Sequence, residues 1–394
     1  MSKVALVRCE DYREDKVLQA VERGLDLLGG PGAFLRPGEK ILLKPNLVAA
    51  DPPERCSTTH PAVFGAVAKV LQKAGAQLSY GDSPGFHSPG AAAKASGIGE
   101  VARALQIPLA DFVTGRTIFY QEGIQNKRFV IANGIFAQDG LVSLPKLKTH
   151  GFARMTGCIK NQFGCIPGKL KGEMHVKLPS ALDFSRMLVD LNRYIAPRLY
   201  VMDGILAMEG EGPRGGTPKP MRVLLFSADP VALDATVCRM IGLDPALVPT
   251  TVYGQETGMG SMEGVELVGD PFDSFLDEGF EVKREPVKPY RKGALLKALN
   301  NLVIPKPYIL EEKCVKCGVC VLMCPVKPKA LQFPDRSRKT PPVYHYQRCI
   351  RCYCCHELCP KSAIRLQTPV LRRALDRLGL VQGKVSRPRR KKRR

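Results

Sequence analysis

KILLKPNLV, residues 40–48, decides the architecture. Its apolar run is too short for a helix and closes on Lys44, Pro45 and Asn46, so it reads as a buried strand ending in a polar turn. The same form recurs in KVALVRC (3–9), QLSYGDSP (77–84), GLVSLPKLK (140–148), RLYVMDGI (198–205) and MRVLLFSAD (221–229). Between these runs, DKVLQAVERGLDLL (15–28), PAVFGAVAKVLQKAG (61–75), SALDFSRMLVDLNRYI (180–195) and PVALDATVCRMIG (230–242) carry helical spacing. TIFYQEGIQNKRFVIA (117–132) reads as a hairpin with Gly123 near its turn. Alternation of this kind predicts an α/β body with a mostly parallel sheet, and nearly 300 residues leave room for two lobes.

In such sheets ligands bind beyond the carboxyl ends of the strands. The polar punctuation collects there: KPN, GDSPG (81–85), KLKTH (146–150), MDG with MEGEGPRGG (202–216) and SADP (227–230). Asp229-Pro230 is also an ordinary helix start. Together these turns predict a site for an anionic or nucleotide-like ligand, with Lys44, Asn46, Asp82, Ser83, Lys146, Lys148 and Asn161 as binding residues. No P-loop motif is present, so the P-loop reading has no support.

Cysteine usage sets the second theme. Nine of the 14 cysteines fall between Cys314 and Cys359. Cys314, Cys317, Cys320 and Cys324 spell C-x2-C-x2-C-x3-C-P, and Cys349, Cys352, Cys355 and Cys359 repeat it 35 residues later. This is the bacterial two-cluster ferredoxin pattern, in which the fourth cysteine of each run serves the other cluster. Cys314, Cys317, Cys320 and Cys359 are therefore expected to hold one 4Fe-4S cluster, and Cys349, Cys352, Cys355 and Cys324 the other. Zinc knuckles use paired ligands and need neither the third cysteine nor the trailing proline. Cys354 is extra, and is expected to pack near the cluster rather than replace Cys355. The segment between the runs, 326–348, is longer than a minimal ferredoxin requires and reads as a surface loop.

The expected organisation is an α/β domain at 1–290, a linker at 291–308, a small α+β ferredoxin domain at 309–368 and a basic tail at 369–394. The formal charge is +22, but from Arg372 onward eleven Lys or Arg face one acid, Asp376. That tail reads as solvated and disordered, with RNA or an anionic membrane surface as alternatives. No apolar run approaches the ~18 residues a membrane span needs, and the N-terminus turns charged before a signal sequence develops, which predicts a cytoplasmic protein.

The motifs LLKPNLV, TTHPAVF, GDSPG, LPKLKTH, TGCIKNQFGCIPG, MDGILAMEGEGP, GTPKP and ADPVALDATVC, in this order, resemble the family known as domain of unknown function 362, here joined to a ferredoxin module. That family implies no reaction. The stretch 147–175, LKTHGFARMTGCIKNQFGCIPGKLKGEMH, has neither helical nor strand periodicity and reads as a long irregular loop. Its His150, Lys160 and His175 are similar in order to a pattern of the lactate racemase family, where the lysine anchors a nickel-pincer nucleotide. That resemblance implies catalytic roles for all three: Lys160 as anchor, His150 as proton shuttle and His175 as metal ligand, with His87 or His60 as a second acid-base group. Read from the residues alone, the glycines admit a ligand to the backbone, the lysines supply positive charge and the histidines titrate near neutrality. Cys158 and Cys165 are either redox-active or structural thiols.

Three functions are consistent with these features. The first is an oxidoreductase whose body binds an anionic substrate or nucleotide-type cofactor and exchanges electrons with two clusters. The second is an electron carrier or assembly partner that docks a redox partner protein and does no chemistry of its own. The third is a nucleic-acid-associated iron-sulfur protein using the tail.

Overall fold

The computed structural model describes residues 1–168, 170–287 and 304–370. Most of the expected linker and the tail beyond residue 370 lie outside the described residues. The strands of the body are β1 (Lys3–Arg8), β2 (Lys40–Pro45), β3 (Gln77–Tyr80), β4 (Gly115–Phe119), β5 (Arg128–Ala132), β6 (Gly140–Leu144), β7 (Lys146–His150), β8 (Arg154–Thr156), β9 (Leu199–Glu209), β10 (Thr217–Ser227) and β11 (Glu266–Gly269). Strands β4 and β5 form the expected hairpin. The other nine make one sheet, ordered β11-β1-β10-β9-β6-β2-β3, with β7 beside β9 and β8 beside β7.

Pairing is parallel at β11–β1, β9–β6, β6–β2, β2–β3 and β7–β9. It is antiparallel where β10 inserts between β1 and β9, and at β7–β8. The inversion has a local cause: only residues 210–216 join β9 to β10, too few for the crossover that a parallel pair demands. Because β1 returns to pair with β10, the two ends of the body share one sheet and do not form two lobes.

Successive side chains of a strand face opposite sides, and both sides are covered. Val7, Ile41, Leu43, Val142, Val201 and Phe226 pack with the helices Glu14–Asp26 and Pro61–Lys73. Leu6, Tyr200, Met202 and Leu225 pack with the helix Pro230–Met240 on the other face. The helix Pro61–Lys73 starts with proline in its first turn and with the His60 ring accepting from the Ala62 N–H.

Residues 147–175 differ from expectation. They are not a long loop but part of β7, then β8, the helical turns Cys158–Asn161 and Gln162–Cys165, and the helix Leu170–Lys177. β7 lacks the apolar alternation of a strand because its polar side chains are buried, with both lysines paired inside. Lys146 bonds Asp203, and Lys148 bonds Asn46 and the Ser57 carbonyl. The ferredoxin region pairs β12 (Lys306–Ile309) with β15 (Ile364–Gln367), and β13 (Leu331–Gln332) with β14 (Val343–Tyr344).

Candidate functional site

The carboxyl ends of β2, β3 and β7 open onto a cavity with about 800 Å³ of atom-free space, part of it open to solvent. The body supplies Asn46, Asp82, Ser83, Lys148, His150, Thr156, Lys160, Asn161, Lys171 and His175. Met323, Cys354, Glu357 and Leu358 of the ferredoxin region complete the lining.

Positive charge concentrates here. Lys44 lies beneath the cavity, paired to Asp82 at 2.8 Å, and that carboxylate also accepts from the Leu47 N–H at 2.7 Å. Gly164 lets this pair close up, since a Cβ there would stand 1.7 Å from an Asp82 oxygen. Lys148 Nζ donates to Asn46 Oδ1 at 2.8 Å, and Asn46 donates to Asn161 at 2.9 Å. Lys171 Nζ is held by the Ser83 and Ile166 carbonyls. Lys160 differs from these three. Its ammonium has no hydrogen-bond or ion-pair partner among the described residues and only overlooks the Phe163 ring at 5.3 Å.

Burial pushes Lys148 down to about 7, with Lys160 adding to the shift against Asp51 and Glu357. Burial likewise brings Lys171 to about 7, with Lys44 and Lys160 adding and Asp82 opposing. Lys160 is lowered by the same cause, against Glu357, Cys354 and Asp82.

His150 Nδ1 accepts from the N–H groups of Phe152 at 3.0 Å and Ala153 at 3.2 Å. The neutral ring therefore carries its proton on Nε2. That nitrogen stands 3.1 Å from Glu357 Oε1, a contact without hydrogen-bond alignment. Burial, reinforced by Lys160, pushes His150 down to about 4, and His175 is pushed down to about 4 by burial too. Burial raises the Glu357 carboxyl, but His150, Lys160 and His175 outweigh it and hold the group well below the carboxylate range. His175 stacks on Phe184 at 4.4 Å, with the edges of Phe152 and Phe163 nearby. Thr156 Oγ1, His150 Nε2, His175 Nδ1 and Glu357 Oε1 are buried without a hydrogen-bond partner among the described residues, and all four residues line this cavity. Buried polar atoms are normally paired, so these four are free to bond water, an ion or a ligand.

Several expected residues lie elsewhere. Lys146 is sealed against Asp203 and the Tyr12 hydroxyl, each at 2.8 Å. His60 caps its helix and stacks on Tyr12 at 3.6 Å, while His87 accepts from the Ala50 N–H. Asp229 caps the helix Pro230–Met240 at the opposite end of the strands, because β10 runs against its neighbours. Cys158 and Cys165 are free, fully buried thiols whose pKa is raised by burial.

The seam with the ferredoxin region draws on Glu211, Arg214 and Gly85 from the polar turns read in the sequence, and on Asp51, Arg55 and His356, which the sequence did not single out. Arg214, buried, clamps Asp51 with two bonds of 2.6 Å and donates to the Leu358 carbonyl at 3.1 Å. Arg55 donates to the Pro360 carbonyl at 2.9 Å and to Ser362 at 3.0 Å. His356 approaches Glu211 at 3.2 Å. Gly85 faces Leu358 so closely that a Cβ would stand 2.5 Å from its Cδ2. One signal was available: His356 and Glu357, charged or polar, interrupt a cysteine run that needs only its thiolates to hold a cluster.

In that region Cys314, Cys317, Cys320 and Cys359 line one space of about 370 Å³. The Cys359 sulfur accepts from the Ala363 N–H at 3.2 Å, and Cys324 accepts from Ala330 at 3.3 Å. Such bonds suit thiolates that ligate iron. Among the described residues no three His, Cys, Asp or Glu side chains converge on a site for a single metal ion.

The pattern of the family described as domain of unknown function (DUF362) matches residues 41–239, and that of the 4Fe-4S dicluster domain matches residues 305–363. The chain belongs to the DUF362 family. A thylakoid-associated protein of Synechocystis sp. is 37% identical over 260 residues, covering 66% of this chain and 80% of that protein. Among solved structures, the lactate racemase apoprotein of Thermoanaerobacterium thermosaccharolyticum is 12% identical with a TM-score of 0.41, over 61% of this chain and 57% of that one. A Thermotoga maritima protein is 11% identical with a TM-score of 0.35, over 67% of this chain and 63% of that one. This DUF362 member thus carries an iron-sulfur electron-transfer module docked on its α/β body.

Proposed function

We propose that this DUF362 protein is an oxidoreductase whose cavity holds an anionic substrate or nucleotide-type cofactor and exchanges electrons with the module. One observation carries the reading: Cys354 and Met323, next in sequence to the cluster cysteines Cys355 and Cys324, wall the same cavity as the unpaired Lys160 ammonium. The clusters supply single electrons when bound. The chain's own residues do the rest. Lys160, backed by Lys148 and Lys171, attracts the anion; His150 offers the proton on Nε2; Leu358 and Met323 narrow the access of water to the cavity. In this reading residues 1–290 bind the ligand and residues 309–368 conduct electrons, with 291–308 between them.

Anaerobic purification followed by mass spectrometry of released small molecules tests the proposal, with Lys160→Ala alongside and iron quantified in both. Wild type should retain an anionic compound that Lys160→Ala lacks, while both hold about eight irons. His150→Ala should keep more of the binding than of the turnover. Equal occupancy in wild type and Lys160→Ala sinks the assignment of Lys160. The absence of any compound from both favours a carrier or assembly partner without chemistry of its own. The Synechocystis relative is named as thylakoid-associated, and sedimentation with anionic vesicles tests whether this chain shares that association.

A further inference from the structure

The two cysteine sets differ in surroundings. Cys352 and Cys355 of one are buried, whereas Cys317 of the other is exposed. The space lined by Cys314, Cys317, Cys320 and Cys359 is also lined by Lys316 and Lys361, and by no carboxylate. The long connection between the cysteine runs adds a further cation. Arg338 Nη1 comes within 3.7 Å of a Cβ built on Gly318, next to Cys317, and its guanidinium lies 5.1 Å from the centre of the Phe333 ring. Val315 and Val343 leave 56% and 51% of their surface open nearby in sequence. From 304 to 370 the chain carries twelve Lys or Arg against four acids: Glu357, turned into the cavity, Asp335, bonded to Ser337, and the exposed Glu311 and Glu312.

We infer that this rim is the docking surface for a small acidic one-electron carrier protein of ferredoxin or flavodoxin type. A basic ring around an exposed redox site steers an acidic partner and fixes its approach, and a few exposed apolar side chains supply contact area. The carrier is oxidised by one electron and the module is reduced by one, with no atom transferred. The extra connection then has a role that a minimal ferredoxin lacks: it carries Arg338 to the lip. The inference shares with the proposed function only the premise that the module conducts electrons.

The test uses the anaerobic, iron-loaded full chain and a reduced plant-type 2Fe-2S ferredoxin, a strongly acidic carrier. Affinity is measured by calorimetry, and the rate of module reduction by stopped flow. Between about 0.02 M and about 0.3 M salt, affinity should fall about tenfold or more, because exposed charges are screened over roughly 8–10 Å. Arg338→Glu and Lys361→Glu should each weaken binding several-fold at low salt with iron content unchanged. Lys94→Glu, at an exposed position on a helix of the body, should leave binding as in wild type. Salt-independent affinity, or rim variants that bind as tightly as Lys94→Glu, overturns the inference. Retention of the cavity ligand is read separately by mass spectrometry, so failure of docking leaves the cavity reading standing.

Discussion

Lys148 and Lys171 tie the cavity to pH, and with opposite signs for stability and for binding. Each is pushed from 10.5 to about 7 in the folded protein. Between those values the unfolded chain keeps protons that the folded chain has lost, so unfolding takes protons up and stability rises with pH across that window. An anion prefers the charged ammonium, so its affinity falls as pH rises through 7. Melting curves of the iron-loaded protein at about pH 6.5 and about pH 9 should show the ligand-free midpoint rising while the increment from ligand shrinks. Lys148→Met should flatten both trends. An increment that grows with pH would rule out these lysines as the anion's partners. Nearby, Gly164 admits no side chain beside the Lys44–Asp82 pair. Gly164→Ala should therefore cost stability and ligand retention together, whereas Gly32→Ala, with nothing within 4 Å of its Cβ, should cost neither.

The strands were legible because burial writes itself into sequence as short apolar runs, and β2, β3, β6, β9 and β10 all follow that rule. β7 was legible only as polar punctuation, since its lysines are buried against partners that are remote in sequence. Asp203 is 57 residues from Lys146, and Asn46 is 102 from Lys148. The inversion of β10 was hidden as well, because strand direction depends on a seven-residue connection and not on the strand itself. That connection has its own constraint. Thr149 donates to the Gly210 carbonyl and accepts from the Gly212 N–H, locking β7 to the turn after β9. A Cβ on Gly212 would lie 2.2 Å from the Thr149 carbonyl oxygen, so backbone must move. Gly212→Ala should destabilise the protein by about 1–3 kcal/mol, as overpacking does. Thermal unfolding beside Gly32→Ala as the control measures it, and an unchanged midpoint would mean that this turn yields freely.

At the scale of the molecule, the body and the ferredoxin region are each recognisable from sequence, but their seam is not. Asp51, Arg55 and Arg214 look like ordinary loop charges until the fold places them under residues 358–362. Arg214 is the residue on which the seam turns, since it satisfies Asp51 and the Leu358 carbonyl at once. Without it Asp51 keeps Ser57 and a long contact to Arg55 at 3.4 Å, too little for a buried carboxylate. Breaking a buried pair in this way costs about 3–5 kcal/mol, most of it from the uncompensated charge. The uncompensated charge falls on the body, where both partners of the clamp lie, while the lost bond to the Leu358 carbonyl falls on docking. Arg214→Met, which keeps much of the volume, should speed hydrogen exchange in residues 354–358 and in 82–85, the two sides of the seam. The cysteine cage itself should be untouched, so iron content after anaerobic purification should match wild type. The cavity loses Glu357 and Leu358 as a fixed wall, so ligand retention should drop although Lys160 and His150 are intact. If exchange at the seam accelerates while retention stays at the wild-type level, the body binds its ligand alone and the ferredoxin region is no part of the site.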